Sequence, residues 1–425
     1  MRKMKNSFEQ WLGELPVSWG LSRIASLYKI RNTKVSDKDY MPLSVTMNGI
    51  VPQLETAAKT NAHDDRKLVR KGDFAINSRS DRRGSCGISE YDGSVSLINT
   101  ILAPLGEMNP NYYNWLFHTT QFADEFYKWG HGIVDDLWTT GWQDMKKIMI
   151  PVPPLQEQKK IATFLDAQCT EIDALTADIQ TQIDTLEQYK RSVITETVTK
   201  GLNLDAEMKD SGIDGAGVTP SHWKTTRLCY ECYIRARLGW RGLKADEYVD
   251  EGYAFISAFN IQNGKLVWTP LNYITKERFD ESPEIKLHSG DVLIVKDGAG
   301  VGKCARVDDL PMGGTAPNSS IAVITPSKNL DYRYVCYYLQ SAVFNNFVLL
   351  LYNGMGVPHL TQEVMSKIKI LVPPLKEQMV ISDYLDAKCS EIDAVVETKR
   401  SQLATLDEYK KSLIFEYVTG KKEVV

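Results

Sequence analysis

Two short motifs contain residue types that metal and nucleotide sites use, but each departs from the required pattern. Cys229 and Cys232 have the spacing of half a zinc site. No second pair follows, so structural cysteines in the core are the better interpretation. The segment 296–303 (KDGAGVGK) resembles a phosphate-binding loop. It has Asp297 where the first glycine is needed and Cys304 where a serine or threonine is needed.

Motifs for nuclease and methyl-transfer chemistry are also incomplete. Glu284-Ile-Lys286 matches only the end of a nuclease-type acidic motif, and such triplets occur freely by chance. The Pro-Pro pairs lie in Val-Pro-Pro-Leu runs, whereas transfer of a methyl group to an amino group requires an aromatic residue after the prolines. We therefore predict that this chain has no catalytic residue and binds no metal or cofactor.

Two loops are better suited to contacts with the phosphates and base edges of DNA. The segment 77–85 (NSRSDRRGS) follows a short strand and is rich in guanidinium groups, which bind guanine edges and phosphates. Its candidate DNA contacts are Asn77, Arg79, Arg82 and Arg83. At the corresponding place in the second half of the chain, Lys296 and Lys303 flank glycines that permit close approach of the backbone to a phosphate. A solvated surface loop is the alternative interpretation.

The most basic stretch of the chain is residues 234–244 (IRARLGWRGLK). Its tryptophan could stack under a backbone-binding face, or it could belong to the core between solvated arginines. The candidate DNA contacts in this stretch are Arg235, Arg237, Trp240, Arg241 and Lys244.

Composition limits the class of protein. The 425 residues carry a formal net charge of −4, which is unlike a free-standing nucleic-acid binder. Either partner subunits supply much of the phosphate neutralisation, or the interpretation as a DNA-binding protein is wrong. Seven scattered cysteines indicate reduced thiols. No run reaches the roughly 18 apolar residues of a membrane span, and the first residues lack an apolar leader. We expect a cytoplasmic protein without a membrane segment.

The chain repeats itself. Residues 150–158 (IPVPPLQEQ) return as 370–378 (ILVPPLKEQ), an offset of 370 − 150 = 220. Residues 165–174 return as 385–394 at the same offset. Pro16 and Trp19 return as Pro220 and Trp223 at 220 − 16 = 204, so the second copy has gained about 16 residues in its front half. Each copy is predicted to be a mixed α/β globule, a Pro-Pro hinge and one long helix.

Apolar residues recur at a spacing of seven in both predicted helices, which is typical of a coiled-coil seam. Leu175 and Tyr189, with Val395 and Tyr409 in the second copy, are predicted as companion seam positions. Lys399 interrupts the second row, either with its stem lying along the seam or with a role in setting the register. The natural partner of each helix is the other one, and we favour antiparallel pairing. The predicted seam residues are Leu165, Ile172, Ile179, Leu186 and Val193 in the first helix, and Leu385, Ile392, Leu406 and Leu413 in the second.

Three duplicated motifs carry a resemblance to a known family. Pro-Pro-Leu-x-Glu-Gln, Leu-Asp-x-x-x-x-Glu-Ile-Asp and Tyr-Lys-x-Ser are each present twice. With them, the whole chain resembles the specificity subunit of type I restriction–modification systems. The resemblance implies an α+β fold of two similar mixed α/β target-recognition domains joined by two long helices, which pair as an antiparallel coiled coil in a pseudo-twofold tandem duplication. The expected ranges are 1–152 and 204–372 for the recognition domains, and 153–203 and 373–425 for the helical regions.

The resemblance also implies a mechanism. Each recognition domain would read one half of a bipartite site in double-stranded DNA, and the helices would set the gap between the halves. Two modification subunits would dock on the helices and methylate adenine with S-adenosylmethionine. Restriction subunits would add ATP- and Mg²⁺-dependent translocation and cleavage. Two alternatives stay open: the specificity partner of a fused type II restriction–modification enzyme, and a structural adaptor whose globules bind protein.

Overall fold

The computed structural model describes residues 2–55, 63–132, 138–236, 243, 247–298, 300–311, 313–351 and 359–424. The chain forms two compact units. Unit 1 comprises Met1–Gln180 and Ser401–Val425, and unit 2 comprises Thr181–Arg400. Each unit therefore contains one globule and a part of each long helix.

Unit 1 is built around a four-stranded antiparallel sheet in the order β10-β9-β12-β4 and a smaller sheet in the order β11-β8-β5. Its strands are β1 Met4–Asn6, β2 Glu14–Pro16, β3 Gly20–Arg23, β4 Tyr28–Ile30, β5 Lys34–Val35, β6 Leu43–Thr46, β7 Gly49–Pro52, β8 Arg66–Val69, β9 Phe74–Asn77, β10 Cys86–Ile88, β11 Gly93–Ser96, β12 Asn99–Pro104 and β13 Met149–Val152. Its shorter helices are α1 Ile24–Leu27, α2 Pro110–Phe117, α3 Thr120–Lys128 and α4 Trp142–Met145.

Unit 2 repeats this plan with the sheets β17-β25-β22-β23 and β21-β18-β24. Its strands are β14 Met208–Asp210, β15 Val218–Pro220, β16 Lys224–Arg227, β17 Cys232–Ala236, β18 Tyr253–Ile256, β19 Ile261–Gln262, β20 Lys265–Leu266, β21 Asn272–Ile274, β22 Val292–Val295, β23 Cys304–Arg306, β24 Thr315–Pro317, β25 Ile321–Pro326 and β26 Lys369–Val372. Its shorter helices are α6 Leu228–Glu231, α7 Lys276–Asp280, α8 Tyr332–Gln340, α9 Ala342–Leu351 and α10 Gln362–Ser366.

The long helices are α5 Leu155–Lys200 and α11 Leu375–Val418. Both begin directly after a Pro-Pro pair, as the sequence predicts. Each unit's apolar core includes residues from both helices, so that Leu165 and Leu413 pack in the core of unit 1 while Ile194 and Leu385 pack in the core of unit 2. Among the helices of the described residues, none is by itself both long and apolar enough to cross a membrane.

Within each unit the two helix segments run antiparallel. In unit 1, Asp173 of α5 pairs with Lys410 of α11, and Phe164, nine residues earlier in α5, packs against Tyr417 later in α11. In unit 2, Lys190 pairs with Asp393 and Glu187 pairs with Arg400. The predicted mixed α+β fold, its duplication and the antiparallel pairing are confirmed.

The seam itself is partly as predicted. Leu165, Ile172, Ile179, Leu385, Ile392 and Leu413 are buried, and Leu186, Val193 and Leu406 are half-buried.

The predicted companion positions are wrong, because Leu175, Tyr189, Val395 and Tyr409 are each 42–51% exposed. The inward companions lie four residues after each row position instead, as Cys169, Ile183, Cys389 and Val396. A spacing of four then three residues keeps one narrow face of each helix toward its partner. Lys399 is half-buried in this row, and its ammonium donates to Gln182.

Candidate nucleic-acid interface

The predicted arginine loop of unit 1 leaves the end of β9 and is held on both sides by backbone hydrogen bonds. Ser78 donates to the carbonyl of Ile98 at 3.2 Å and accepts from the amide of Thr140 at 2.9 Å. Residues Ser80–Arg82 then form one turn of 3₁₀ helix. The arginine side chains therefore project from a backbone that two neighbouring segments hold in place.

The arginines of this loop differ in their exposure to solvent and in their ion pairs. Arg82 is the most exposed, with 68% of its side chain accessible, and its nearest carboxylate oxygen, on Asp81, is 3.8 Å away. Arg79 pairs with Asp81 at 3.3 Å. Arg83 pairs with Asp124 at 2.7 Å and lies over the Tyr127 ring. Exposed pairs of this kind contribute little stability, so an incoming phosphate or base can exchange with them.

Asn77 is buried, unlike the arginines that follow it. It is only 6% exposed, and its side-chain oxygen accepts from the amide of Arg79 at 3.1 Å. Its position indicates that it shapes the start of the loop. Contact between Asn77 and DNA stays a prediction.

The corresponding loop of unit 2 has the same backbone arrangement. Lys296 donates its amide to the carbonyl of Ser320 at 2.7 Å, and its carbonyl accepts from Leu360 at 2.9 Å. Lys296 therefore stands where Ser78 stands in unit 1, an offset of 296 − 78 = 218. Lys303, at the far end of the loop, is exposed.

An acidic residue lies beside the first lysine of this loop. Asp297 binds the ammonium of Lys296 and lies 2.5 Å from Nδ1 of His359. Burial alone would raise the pKa of Asp297, but the hydrogen bonds from Lys296 and His359 outweigh burial and lower it below its usual value. The carboxylate therefore stays ionised and partly neutralises this end of the loop.

Arg235 has a different environment from the one that the sequence suggested. Its guanidinium is 9% exposed, pairs with Asp291 at 2.6 Å and donates to the carbonyl of Lys286. Unit 1 repeats the pair as Arg31 and Asp73 at 2.6 Å. Asp73 and Asp291, which each follow a glycine and directly precede β9 and β22, thus supply the acceptor for a structural arginine in each unit. Because such a pair is costly to break, we leave Arg235 out of the proposed interface.

The other candidates of the basic stretch, Arg237, Trp240, Arg241 and Lys244, lie outside the described residues. Their contact with DNA stays a prediction. No group of three or more His, Cys, Asp or Glu side chains within the described ranges is arranged to hold a metal ion.

The Pro-Pro-Leu-x-Glu-Gln motif anchors each long helix to its globule. Glu157 accepts the indole NH of the buried Trp19 at 2.9 Å, and Glu377 accepts that of Trp223 at 3.0 Å. The glutamine that follows each glutamate bridges the first proline of the Pro-Pro pair and the backbone just before α2 or α8. In unit 1, Gln158 accepts from the amide of Asn109 and donates to the carbonyl of Pro153.

The C-terminal end of each long helix lies beside one of these tryptophans, α11 beside Trp19 in unit 1 and α5 beside Trp223 in unit 2. In unit 1, the hydroxyl of Tyr112 donates to the carbonyl of Val418, and a Cβ added at Gly420 would come within 2.8 Å of the Trp19 ring. In unit 2, Tyr334 donates to the last-turn carbonyl of Val198 in the same way. The counterpart of Tyr112 is thus Tyr334, at an offset of 334 − 112 = 222.

The other two duplicated motifs face each other across the helix pair. Asp173, from the first Glu-Ile-Asp, binds Lys410, from the second Tyr-Lys, with 2.5 Å between carboxylate oxygen and ammonium. Asp393, from the second Glu-Ile-Asp, binds Lys190, from the first Tyr-Lys, at 2.6 Å. Each copy of one motif therefore pairs with the opposite copy of the other. This reciprocity explains why both motifs occur twice.

The chain matches the model of a known protein family. The model of the type I restriction modification DNA specificity domain matches residues 16–185 and 239–404. The chain belongs to this family. Specificity subunits of type I systems are non-catalytic DNA-recognition subunits, and this assignment confirms that interpretation of the chain.

Named relatives are similar to the whole chain or to about half of it. The chain is 24% identical to the specificity subunit of the type I restriction enzyme MjaVIII from Methanocaldococcus jannaschii, and the alignment covers 99% of this chain and 97% of that one. It is also 24% identical to the EcoKI specificity subunit of Escherichia coli K12, over 48% of this chain and 44% of that subunit.

Solved structures share the fold. One, from a study of complex assembly and conformational transition of a type I restriction–modification system, has a TM-score of 0.72 at 17% identity and covers 95% of this chain and 98% of its own. The HsdS subunit from Thermoanaerobacter tengcongensis has a TM-score of 0.51 at 19% identity, with coverage of 96% and 98%.

Proposed function

We propose that each globule reads one half of a bipartite DNA sequence through the loop that follows its central strand. The observation that carries this proposal is the duplicated loop position. Ser78 in unit 1 and Lys296 in unit 2 make equivalent backbone hydrogen bonds to two neighbouring segments, and each of the loops that they begin carries an exposed cation, Arg82 in unit 1 and Lys303 in unit 2. A rigid base with interchangeable side chains is suited to reading different sequences in the two globules.

The chemistry of the two loops differs in a way that suits two different half-sites. Arg79 and Arg82 can donate in pairs to the O6 and N7 atoms of guanine or to a phosphate, and Asp81 between them can accept from the amino group of cytosine. In unit 2, Lys303 and the glycines before it suit a phosphate that approaches the backbone closely. Unit 2 therefore relies more on backbone and shape at this loop.

The paired helices are the proposed spacer and docking platform. In each unit an aromatic and an aliphatic side chain stay exposed on the helix pair: Leu175 with Tyr409 in unit 1, and Tyr189 with Val395 in unit 2. The Asp173–Lys410 ion pair brings Leu175 and Tyr409 to the same stretch of the pair. Two equivalent patches fit two copies of one partner.

The proposed partners are two modification subunits that use S-adenosylmethionine to methylate adenine, and restriction subunits that use ATP and Mg²⁺. The net charge of −4 supports a role inside such an assembly, because partner subunits would supply much of the neutralisation of phosphate charge. We expect the complex in the cytoplasm.

Half-site selectivity tests the recognition loops. Changing Arg79, Arg82 and Arg83 to Ala should abolish selectivity for the first half-site and leave the second intact, measured by methylation of a randomised DNA library by the assembled complex. Arg70→Ala, which removes an exposed arginine from the same unit, is the matched control. If both half-sites weaken equally and the salt dependence falls, the loop only holds phosphates. If the unmutated complex copurifies without any sequence-selective retention of DNA, that result favours the adaptor interpretation.

Helix insertion tests the spacer. One heptad inserted after Leu175, with a second inserted at the facing position before Tyr409, keeps the seam in register and should lengthen the preferred gap by about 10 Å, or about three base pairs. A two-residue insertion at the same two places is the control, because it rotates the seam residues by about 200° and turns them away from each other. An unchanged gap in the heptad variant would remove the spacer function.

A further inference from the structure

Unit 2 contains an open apolar cavity of about 640 Å³ beside the tip of the β14–β15 hairpin. The buried ring of Phe344 on α9 lines it, together with Phe347 and Leu350 further along the same helix. Leu349 and Leu350 are 59% and 63% exposed. We call this cavity the unit 2 pocket. An exposed apolar concavity of this size is typical of a binding site.

Unit 1 shows what fills the same place in the other copy. The β1–β2 and β14–β15 hairpins pair in the same register, with Met4 opposite Pro16 and Met208 opposite Pro220, an offset of 204. By this offset, Trp11 of unit 1 corresponds to Gly215, which lines the unit 2 pocket. The next residue also becomes smaller, from leucine to Ala216.

The aromatic ring that receives Trp11 is conserved between the two copies of the fold. The Trp11 ring lies 5.8 Å from that of Phe122, edge to face. Phe122 and Phe344 are equivalent, because each lies three residues after the residue that caps its helix, Thr119 in unit 1 and Ser341 in unit 2. Unit 2 has therefore kept the aromatic floor and lost the indole that covers it.

The residues at the edge of the pocket also differ between the two units, in addition to the replacement of Trp11 by Gly215. Where unit 1 has Glu125 and Lys128 on α3, paired at 3.5 Å, unit 2 has Phe347 and Leu350. Loss of the tryptophan alone would have left a charged rim around the gap. In unit 2 this edge of the pocket is apolar instead. Apolar surface exposed to water is unfavourable, and burying it against another group is favourable.

We propose that the unit 2 pocket binds an aromatic side chain of the indole type, presented by another protein subunit of the complex. The incoming ring would take the place against Phe344 that Trp11 takes against Phe122. Aromatic anchors in apolar pockets dominate the affinity of many protein interfaces. This inference does not depend on how the loops read DNA.

A small probe tests the pocket on the full-length chain. N-acetyl-L-tryptophanamide should bind saturably in a titration followed by ligand-observed NMR. Phe347→Glu and Leu350→Lys place the residues of unit 1 at accessible positions, and each should weaken this binding at least about tenfold. Phe259→Glu changes an exposed aromatic residue of unit 2 outside the pocket and should leave binding unchanged. Absence of saturable binding, or equal binding by Phe347→Glu, overturns the proposal.

The partner is tested in the assembled complex. A photo-crosslinking amino acid at position 350 should link to a Trp-, Phe- or Tyr-containing segment of another subunit, identified by mass spectrometry. Cross-links only to DNA or within this chain overturn the assignment to a protein partner. Half-site selectivity of the Phe347→Glu chain, measured in the same complex, should be unchanged, so failure of this proposal is distinguishable from failure of the recognition proposal.

Discussion

The hydrogen bond between Glu377 and Trp223 should be a principal tie between α11 and its globule. Trp223 is fully buried, and its indole NH donates to Oε1 of Glu377 at 3.0 Å, while Oε2 lies 2.8 Å from Nε2 of the more exposed His222. Glu377→Ala leaves a buried donor without its acceptor. Such a loss costs about 1–3 kcal/mol, and the partial exposure of Glu377, which lets water approach, favours the lower half of that range.

The assay is differential scanning calorimetry of the full-length chain, with a double-mutant cycle to isolate the hydrogen bond. For a unit of this size, each kcal/mol lowers the melting temperature by roughly 2–4 °C. Glu377→Gln is the matched control, because its amide oxygen still accepts from the indole, and it should lose less stability than the alanine variant. In a Trp223→Phe background, which has no indole NH, Glu377→Ala should cost clearly less. Equal losses in both backgrounds would refute the reasoning.

Three further predictions concern the helices and unit 2. Ile183→Ala removes a buried seam side chain and should cost about 2–5 kcal/mol in chemical denaturation, whereas Leu175→Ala, which is exposed, should change stability little. Asp393→Ala leaves the ammonium of Lys190, 15% exposed, without its carboxylate and should destabilise more than Lys190→Met, which removes the charge, in the same denaturation series. Burial would raise the pKa of Asp386, but hydrogen bonds from Tyr337 and from Arg306 lower it below 3.8. The contribution of Asp386 to the free energy of unfolding is therefore present above about pH 4 and is lost as the pH falls further. Asp386→Asn should therefore reduce the loss of unfolding free energy below about pH 4. If that loss is unchanged in Asp386→Asn, Asp386 is not its cause.

The long-range plan of the molecule was accessible from its sequence because duplication marks equivalent residues. The Pro-Pro boundaries placed the starts of α5 and α11, and the sevenfold row of Leu165, Ile172 and Ile179 placed the seam. The predicted companion positions Leu175 and Tyr189 are wrong, because an apolar side chain alone does not place a residue on the inward face of a helix. The spacing of four residues points instead to Ile183 and to the polar Lys190, whose charge is satisfied across the pair.

Single side chains of the candidate site were harder to place from sequence. Arg235 looked like its basic neighbours, and only the fold brings it to Asp291, 56 residues away along the chain. One signal was available in the sequence: Arg31 and Asp73 repeat the same two residue types in the first copy. Asn77 is polar like the arginines that follow it, but its position at the end of the buried strand β9 turns it inward. Contacts set by chain segments far apart in sequence leave no local pattern.

The return of the last residues to Trp19 has a consequence for synthesis on the ribosome. Unit 2 is one continuous stretch, Thr181–Arg400, and all of its residues have been made once position 400 has been translated. Unit 1 cannot be completed until Ser401–Val425 have been translated. This segment includes Val418, whose carbonyl accepts a hydrogen bond from Tyr112. The globule that is translated first is thus the last whose parts are all available, the reverse of the usual order in which domains fold from the N-terminus. A nascent chain stalled before residue 401 therefore carries a first globule whose core still lacks Leu413 and Val418.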